Sequence, residues 1–469
     1  MNRILLLTTF GTLCLMSFSS LCSQEHPSTE SIVVGDEGKA VVSLVEKAHA
    51  VFDFSGAVLV AKEGKVIAVA AAGTTEGRKP KPIDADTLFE IASCTKPFTA
   101  VAIMQLVEER KIGLDDSISD YLPGVPANCE AITVRHLLQH TSGIPGTNSR
   151  GHGTRLDRVL PVFLAGGPKH NPGTNHEYWN QGYSLLSEII ARASGKKYTV
   201  FTRTKIFKPC GMTNTKFTGD RAGKRTKVAT GLSSYGEPRS ALEHPYGEYG
   251  FQYRGMGGIV TSVNDLWKWE QALQSGELLS EESMSTMADS GEFNYGLGWT
   301  ISKNKKGDLV QKHSGSVRGF VSAIRRYPTS KGCIFVLTNR DNGLPMQVVA
   351  DGCEQILNGK TVDLELPGQL DESTLDSIDG NYFDSKHRKM VVAIKSGVTT
   401  AKIYWGGPVT NGFLGQDGNG SVNFYMLESY SPLKFKIDSK IEVDKDEKGN
   451  VKSIALIGAG PKLTFNRMQ

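Results

Sequence analysis

The stretch IASCTKPFTA, residues 91–100, decides how the rest of the chain is read. Ser93 and Lys96 stand three apart, Pro97 follows, and an apolar run begins at Phe98. Proline is tolerated only in the first turn of a helix, because its ring lacks an N–H and clashes with a preceding carbonyl. Pro97 therefore predicts a helix over 97–110 whose N-terminus lies at or near Ser93. Val101, Ala102, Ile103, Met104, Leu106 and Val107 make that helix apolar nearly all round, hence buried. Lys96 then has two readings. It is a charge snorkelling from a helix end, or a base whose amine lies beside the Ser93 hydroxyl on one helical face. A serine hydroxyl becomes a nucleophile only when a neighbouring base takes its proton. A lysine serves as that base when burial or nearby positive charge lowers its pKa.

Spacing alone does not choose between these readings. Ser-x-x-Lys also occurs at Ser194–Lys197, Ser302–Lys305 and Ser431–Lys434. Ser194 closes a helix beside Gly195, Ser302 falls in a strand-to-turn region, and Ser431 precedes Pro432; only Ser93 opens a buried helix. Two further motifs favour chemistry. Tyr178-Trp179-Asn180 is the only Tyr-x-Asn in the chain, and His313-Ser314-Gly315, at the expected start of a strand, is the only His-x-Gly. Each taken singly reads as an aromatic loop or a polar turn, but the ordered triple is hard to obtain by chance.

With these three motifs the chain resembles the serine β-lactamase and penicillin-binding-protein superfamily, in the branch of class C β-lactamases, DD-peptidases and related esterases. The resemblance runs from about residue 38 to 350 and includes LLQHTSGI (137–144), GMTNTKF (211–217), GMGGIVTSVNDLWKW (255–269), YGLGW (295–299) and HSGSVRGF (313–320). It implies a three-layer α/β (α+β) sandwich, a mainly antiparallel sheet covered by helices, plus an all-helical subdomain. It also implies roles. Ser93 is the acylated nucleophile, Lys96 its base, and Tyr178 the phenol or phenolate that shuttles protons. Asn180 hydrogen-bonds the substrate amide or Lys96, and His313, Ser314, Gly315 and Ser316 line the strand beside the substrate. The backbone N–H groups of Ser93 and Ser316 form the oxyanion hole, where one donor is typically worth about 10²–10³ in rate.

One departure bears on substrate. Class C β-lactamases usually carry lysine where this chain has His313, and a neutral histidine lacks the fixed charge that receives a β-lactam carboxylate. Arg318 is either a substitute contact or a solvated charge at the strand end. Cys94, beside the nucleophile, reads as a small buried filler. The expectation is an exported serine hydrolase using a covalent acyl-enzyme on esters, D-amino-acid peptides or amides, cell-wall peptides included, with no cofactor and no metal. The alternatives are a class C-like β-lactamase and a non-catalytic cell-wall peptide sensor. Retention of Ser93, Lys96 and Tyr178 together argues against the sensor, and the absence of Gly-x-Ser-x-Gly argues against an α/β-hydrolase.

The remaining features set bounds. Of 469 residues, 39% are hydrophobic and 22% charged, with a net charge of +4 and no Lys/Arg cluster, which argues against nucleic-acid binding. Residues 1–23 read as a signal peptide, with Arg3 as the positive region and Ile4 to Phe18 as the apolar core. The bulky Leu21 fits a lipid-attachment site at Cys22 poorly. Export implies a periplasmic or extracellular location without a transmembrane anchor. Cys94, Cys129, Cys210, Cys333 and Cys353 are too sparse for a disulfide framework, though one bridge is possible. His136 and His140 stand at i, i+4 without an accompanying glutamate and read as helical residues rather than metal ligands.

A helix over 39–50 precedes a hairpin, FSGAVLVAKEGKVIAVAAAG (54–73). Helices end at Gly195 and Gly276, and strands return at YGLGWTIS (295–302), VSAIRRYP (321–328) and GCIFVLTN (332–339). Strands at both ends imply one sheet made from both ends of a hydrolase domain over 24–360. Residues 361–469 read as a small all-β, barrel-like domain whose first strand falls in LDSIDGNYF (375–383).

Overall fold

The hairpin forms as its apolar pattern requires, with strands Gly56–Lys62 and Lys65–Ala72. Glu63 and Gly64 between them both have positive φ, 51° and 75°, so the turn twists with its strands. This structure, a computed structural model, describes residues 32–146, 153–233, 237–341, 343–362, 370, 377–395, 398–404, 409–416, 421–427, 435–458 and 462–468. Residues 1–23, read above as a signal peptide, and Ser431–Lys434 lie outside the described residues.

The hairpin is one side of a six-stranded antiparallel sheet. Its order is Lys65–Ala72, Gly56–Lys62, Gly332–Thr338, Phe320–Tyr327, Leu309–Val317, Thr300–Lys303. Gly56 pairs with Thr338, so the two ends of the domain meet at the centre of the sheet. All seven residues of Gly332–Thr338 are buried, which explains why the strand is apolar without alternation. On one face Val58, Val60 and Val336 pack with Val41 and Val45 of helix Gly35–Phe52 and with Val348 and Val349 of helix Gly343–Leu357. On the other, Ala57, Leu59, Phe335 and Leu337 join the larger core containing Phe98 and Trp269. Those two rings stack at 4.0 Å between centroids. The sheet is thus covered by helices on both faces, as expected.

The first helix runs beyond 39–50 at both ends and stops where Asp53 turns left-handed, at φ 58°. Of YGLGWTIS only the last three residues are strand, the start of Thr300–Lys303, because Gly298 at φ +80° turns the chain ahead of it. Helix Gly343–Leu357 has no counterpart among the sequence expectations, since Pro345 and Gly352 interrupt its pattern. Eight strands, from Gly380–Phe383 to Leu463–Arg467, close into a barrel when Tyr382 pairs with Arg467. Its core holds Ile378, Tyr382, Met390, Val392, Ile454 and Phe465. Cys94, Cys129, Cys210, Cys333 and Cys353 are all buried free thiols. Among the described residues no helix is long and apolar enough to cross a membrane.

Candidate active site

The chain reaches Ser93 through a short strand and a sharp turn. Phe89–Glu90 pairs with Ile259–Thr261. Glu90 is buried and held by Arg239 and by the Tyr253 hydroxyl. Ala92 then takes a left-handed φ of 45°, and Ala92–Thr95 form a single 3₁₀ turn. The α-helix begins at Lys96, with Pro97 in its first turn. Ser93 therefore lies just ahead of the α-helix rather than as its first residue. It is also the one residue from Thr87 to Met104 that is not buried.

Strand Leu309–Val317 supplies the opposite wall. His313 sits in its middle and not at its start, because the strand already begins at Leu309, after the Gly307 turn. The neighbouring strand pairs only as far as Thr300 with Lys312. On the other side Val317 pairs with Phe320 across a two-residue turn. Antiparallel alternation then points the backbone groups of Val317, Gly315 and His313 into the sheet. Those of Ser316 and Ser314 point to the edge that the short strand leaves open. Gly315 is glycine because of proximity: a Cβ there would lie 2.2 Å from the Ile91 carbonyl oxygen and 2.5 Å from Ser322 Oγ. That contact holds the strand against the turn bearing Ser93.

Lys96 is fully buried, and burial lowers its pKa to about 7. Its Nζ lies 2.9 Å from Ser93 Oγ, 2.8 Å from Asn180 Oδ1 and 3.3 Å from the Met256 carbonyl. A neutral amine has two hydrogens and one lone pair. The two oxygens that can only accept take the hydrogens, and the lone pair is left for the Ser93 hydroxyl. Lys96 is thus no snorkelling charge.

Tyr178 is 39% exposed, and its phenol lines the same cleft as Ser93, close enough to interact with the serine hydroxyl. Burial raises its pKa above the ordinary value, so it rests as the phenol. The Lys96 nitrogen lies 4.8 Å from the centre of the Tyr178 ring. Asn180 opens helix Asn180–Ser194, which packs on the helix bearing Lys96.

His313 is buried and bonded at both nitrogens, Nδ1 to the Ser314 carbonyl at 2.7 Å and Nε2 to the Tyr295 hydroxyl at 3.0 Å. Burial and the nearby Lys96 lower its pKa to about 3. A neutral ring with Nδ1 donating and Nε2 accepting satisfies both contacts. Cys94 Sγ donates to the His313 carbonyl at 3.4 Å, and burial raises that thiol to about 12. It is therefore a buried donor rather than a reactive thiolate. Arg318 is exposed at the hairpin turn, where its carbonyl accepts from Arg239 at 3.2 Å.

These residues open onto a cleft of about 480 Å³ lined by Ser93, Tyr178, His313, Ser314 and Ser316, with Thr300 and the side chains of His176, Phe293, Asn294 and Tyr295. Every predicted site residue is therefore brought to one place. Sequence reasoning assigned no role to His140, His176 or Tyr295, although LLQHTSGI and YGLGW were in view. The i, i+4 reading of His136 and His140 holds only for His136, whose ring Nδ1 caps helix Val134–Leu138. His140 lies past the helix end at φ 56°. Among the described residues no cluster of three or more His, Cys, Asp or Glu is arranged to hold a metal ion.

A family model described as Beta-lactamase matches residues 48–352, and the chain belongs to that family. It is similar to penicillin-binding protein 4* of Bacillus subtilis, 29% identical over 364 residues spanning 72% of this chain and 80% of that protein. Among solved structures it is similar to the octameric penicillin-binding protein homologue from Pyrococcus abyssi. That match is 27% identical with a TM-score of 0.60, covering 92% of this chain and 100% of the other. It is also similar to a D-stereospecific amidohydrolase from Streptomyces sp., 25% identical with a TM-score of 0.54, covering 70% and 99%. The protein is a hydrolase of the serine β-lactamase and penicillin-binding-protein superfamily.

Proposed function

We propose that this hydrolase is exported and acts through an acyl-enzyme on Ser93, with esters and D-amino-acid amides or peptides, cell-wall peptides included, as substrates. The observation that carries the reading is the Lys96 amine within 2.9 Å of Ser93 Oγ, 2.8 Å of Asn180 Oδ1 and 3.3 Å of the Met256 carbonyl. In this set a neutral amine gives its hydrogens to the two obligate acceptors and keeps its lone pair for Ser93. Lys96 accepts the Ser93 proton as Oγ attacks the carbonyl carbon. The oxyanion sits between the N–H groups of Ser93 and Ser316, the latter on the open strand edge. Tyr178 passes a proton to the leaving group, and the reverse path activates the deacylating water. A phenol at rest suits this relay, since it hands on a proton as it receives one. Residues 24–360 form the catalytic domain and 361–469 the barrel domain.

Amides and esters are favoured over β-lactams by the charge of the cleft. Its described lining residues include no Lys or Arg, and His313 is held neutral by Tyr295 and the Ser314 carbonyl. The resemblance to a D-stereospecific amidohydrolase supports the amide class.

The test is adduct mapping. The mature protein is treated with a fluorophosphonate or a fluorescent penicillin, and the labelled peptide is identified by mass spectrometry. Labelling at Ser93 that vanishes in Ser93→Ala is expected; labelling that survives the substitution would refute the mechanism. Parallel assays with p-nitrophenyl esters, D-amino-acid amides and nitrocefin rank the substrates. Nitrocefin turnover equal to ester turnover would overturn the reading of His313.

A further inference from the structure

One residue holds the chain on both sides of Tyr178. The His140 carbonyl accepts the Glu177 N–H at 2.9 Å, and His140 Nδ1 accepts the Trp179 N–H at 3.1 Å. Its imidazole then lies against the phenol ring, with centroids 4.1 Å apart. Tyr178 precedes helix Asn180–Ser194, whose N-cap Trp179 is extended at φ −126° and ψ 104°. An extended segment outside a sheet has its course set by whatever accepts its N–H groups.

Two features of His140 work against stability. It carries a side chain in the left-handed region, at φ 56°, and its buried Nε2 has no hydrogen-bond partner. Strained backbone and unsatisfied buried atoms persist where the surroundings hold them in place, most often at functional sites. Asparagine would suit the backbone and still present an acceptor, but no ring. Phenylalanine would fill the space without the orphan N–H, but would leave Trp179 without this acceptor. Only histidine supplies both contacts.

Nδ1 can accept only from a neutral ring protonated at Nε2. The groups around the ring favour that form: Lys96, His176 and His313 are basic, and Tyr178, Tyr183 and Tyr295 contribute phenols. Burial, with Lys96, His176 and His313, holds the pKa of His140 well below the usual imidazole value.

We propose that His140 is a positioning residue, which clamps the peptide units before and after Tyr178 and so aims the phenol at Ser93. The inference rests on the reading of Tyr178 as the proton carrier.

The test compares wild type, Tyr178→Phe, His140→Phe and His140→Asn in the full chain, with a p-nitrophenyl ester as substrate and circular dichroism as the check on folding. His140→Phe is expected to lower kcat about 10²-fold with KM within about threefold, as a misaimed group does. The acid limb of its pH profile stays where Lys96 sets it, which a general loss of structure would not produce. His140→Asn, with an acceptor at the Nδ1 position, is expected to recover to within about tenfold of wild type. If His140→Phe does not fold, His140→Gln carries the same test, since its acceptor falls at the Nε2 position. A kcat for the folded Phe or Gln variant within about threefold of wild type, or an Asn variant no better than it, overturns the inference alone. Wild-type turnover in Tyr178→Phe overturns both the inference and the reading beneath it.

Discussion

Asn180 Oδ1, at the start of one helix, accepts a hydrogen bond of 2.8 Å from the Lys96 amine, at the start of another. The two helices pack together, so their contact sets the direction of the lysine lone pair as well as filling the core. Converting that carboxamide to a carboxylate tests the arrangement, because Asn180→Asp keeps the shape and adds a negative charge. An opposite charge within reach raises a lysine pKa by about 1–3 units. The acid limb of kcat/KM should move up by that amount, and at pH 7 the rate should fall about tenfold per unit. A limb that stays in place would count against Lys96 as the base.

The wild-type profile follows from the same group. Lys96 titrates at about 7 because it is buried, and only its neutral form can take the Ser93 proton. Acylation by a fluorophosphonate should rise about tenfold per pH unit below that point and level off above it. His313, at about 3, stays neutral throughout and adds no limb.

Lys96 should also be a burden on stability. Its folded pKa of about 7 lies below its ordinary 10.5, so between these values the unfolded chain binds more protons and stability rises with pH. Below about pH 7 the whole penalty is present. Lys96→Met should be inactive yet more stable at pH 6–7 by about 1–4 kcal/mol. Its thermal melts should also lose much of the wild-type pH dependence between 7 and 10.

Gly315→Ala tests the contact between strand and nucleophile turn. The new Cβ would fall 2.2 Å from the Ile91 oxygen, and overpacking of this kind costs about 1–3 kcal/mol. Separating Ser93 from Ser316 should lower acylation about 10²-fold even in the folded fraction. Denaturant melts and labelling rates read the two effects separately.

The part of the site legible in the sequence was the part that chemistry pins to short spacings. Ser93, Lys96 and Pro97 are read within one turn of helix, and Tyr178 and Asn180 within one motif. His140 and Tyr295 were not legible, because their partners are brought to them by topology. Nothing local announces that helix Val134–Leu138 ends before His140, or that the hydroxyl of Tyr295 meets His313 Nε2. The sheet was readable because its buried strands are continuous apolar runs, and the closed barrel because its strands are short and turn-bounded. Helix Gly343–Leu357 was hidden by the glycine that packs against Leu44.

The pairing of Gly56 with Thr338 has a consequence for the order of events during synthesis. Ser93 and Lys96 leave the ribosome early, but the strand with the open edge, and the two strands that anchor it to the hairpin, come more than two hundred residues later. Contacts so distant along the chain form slowly. On the proposed mechanism, a growing chain therefore carries Ser93 long before it has anywhere to place an oxyanion, and it stays chemically silent until nearly all of the residues up to Thr338 have been made.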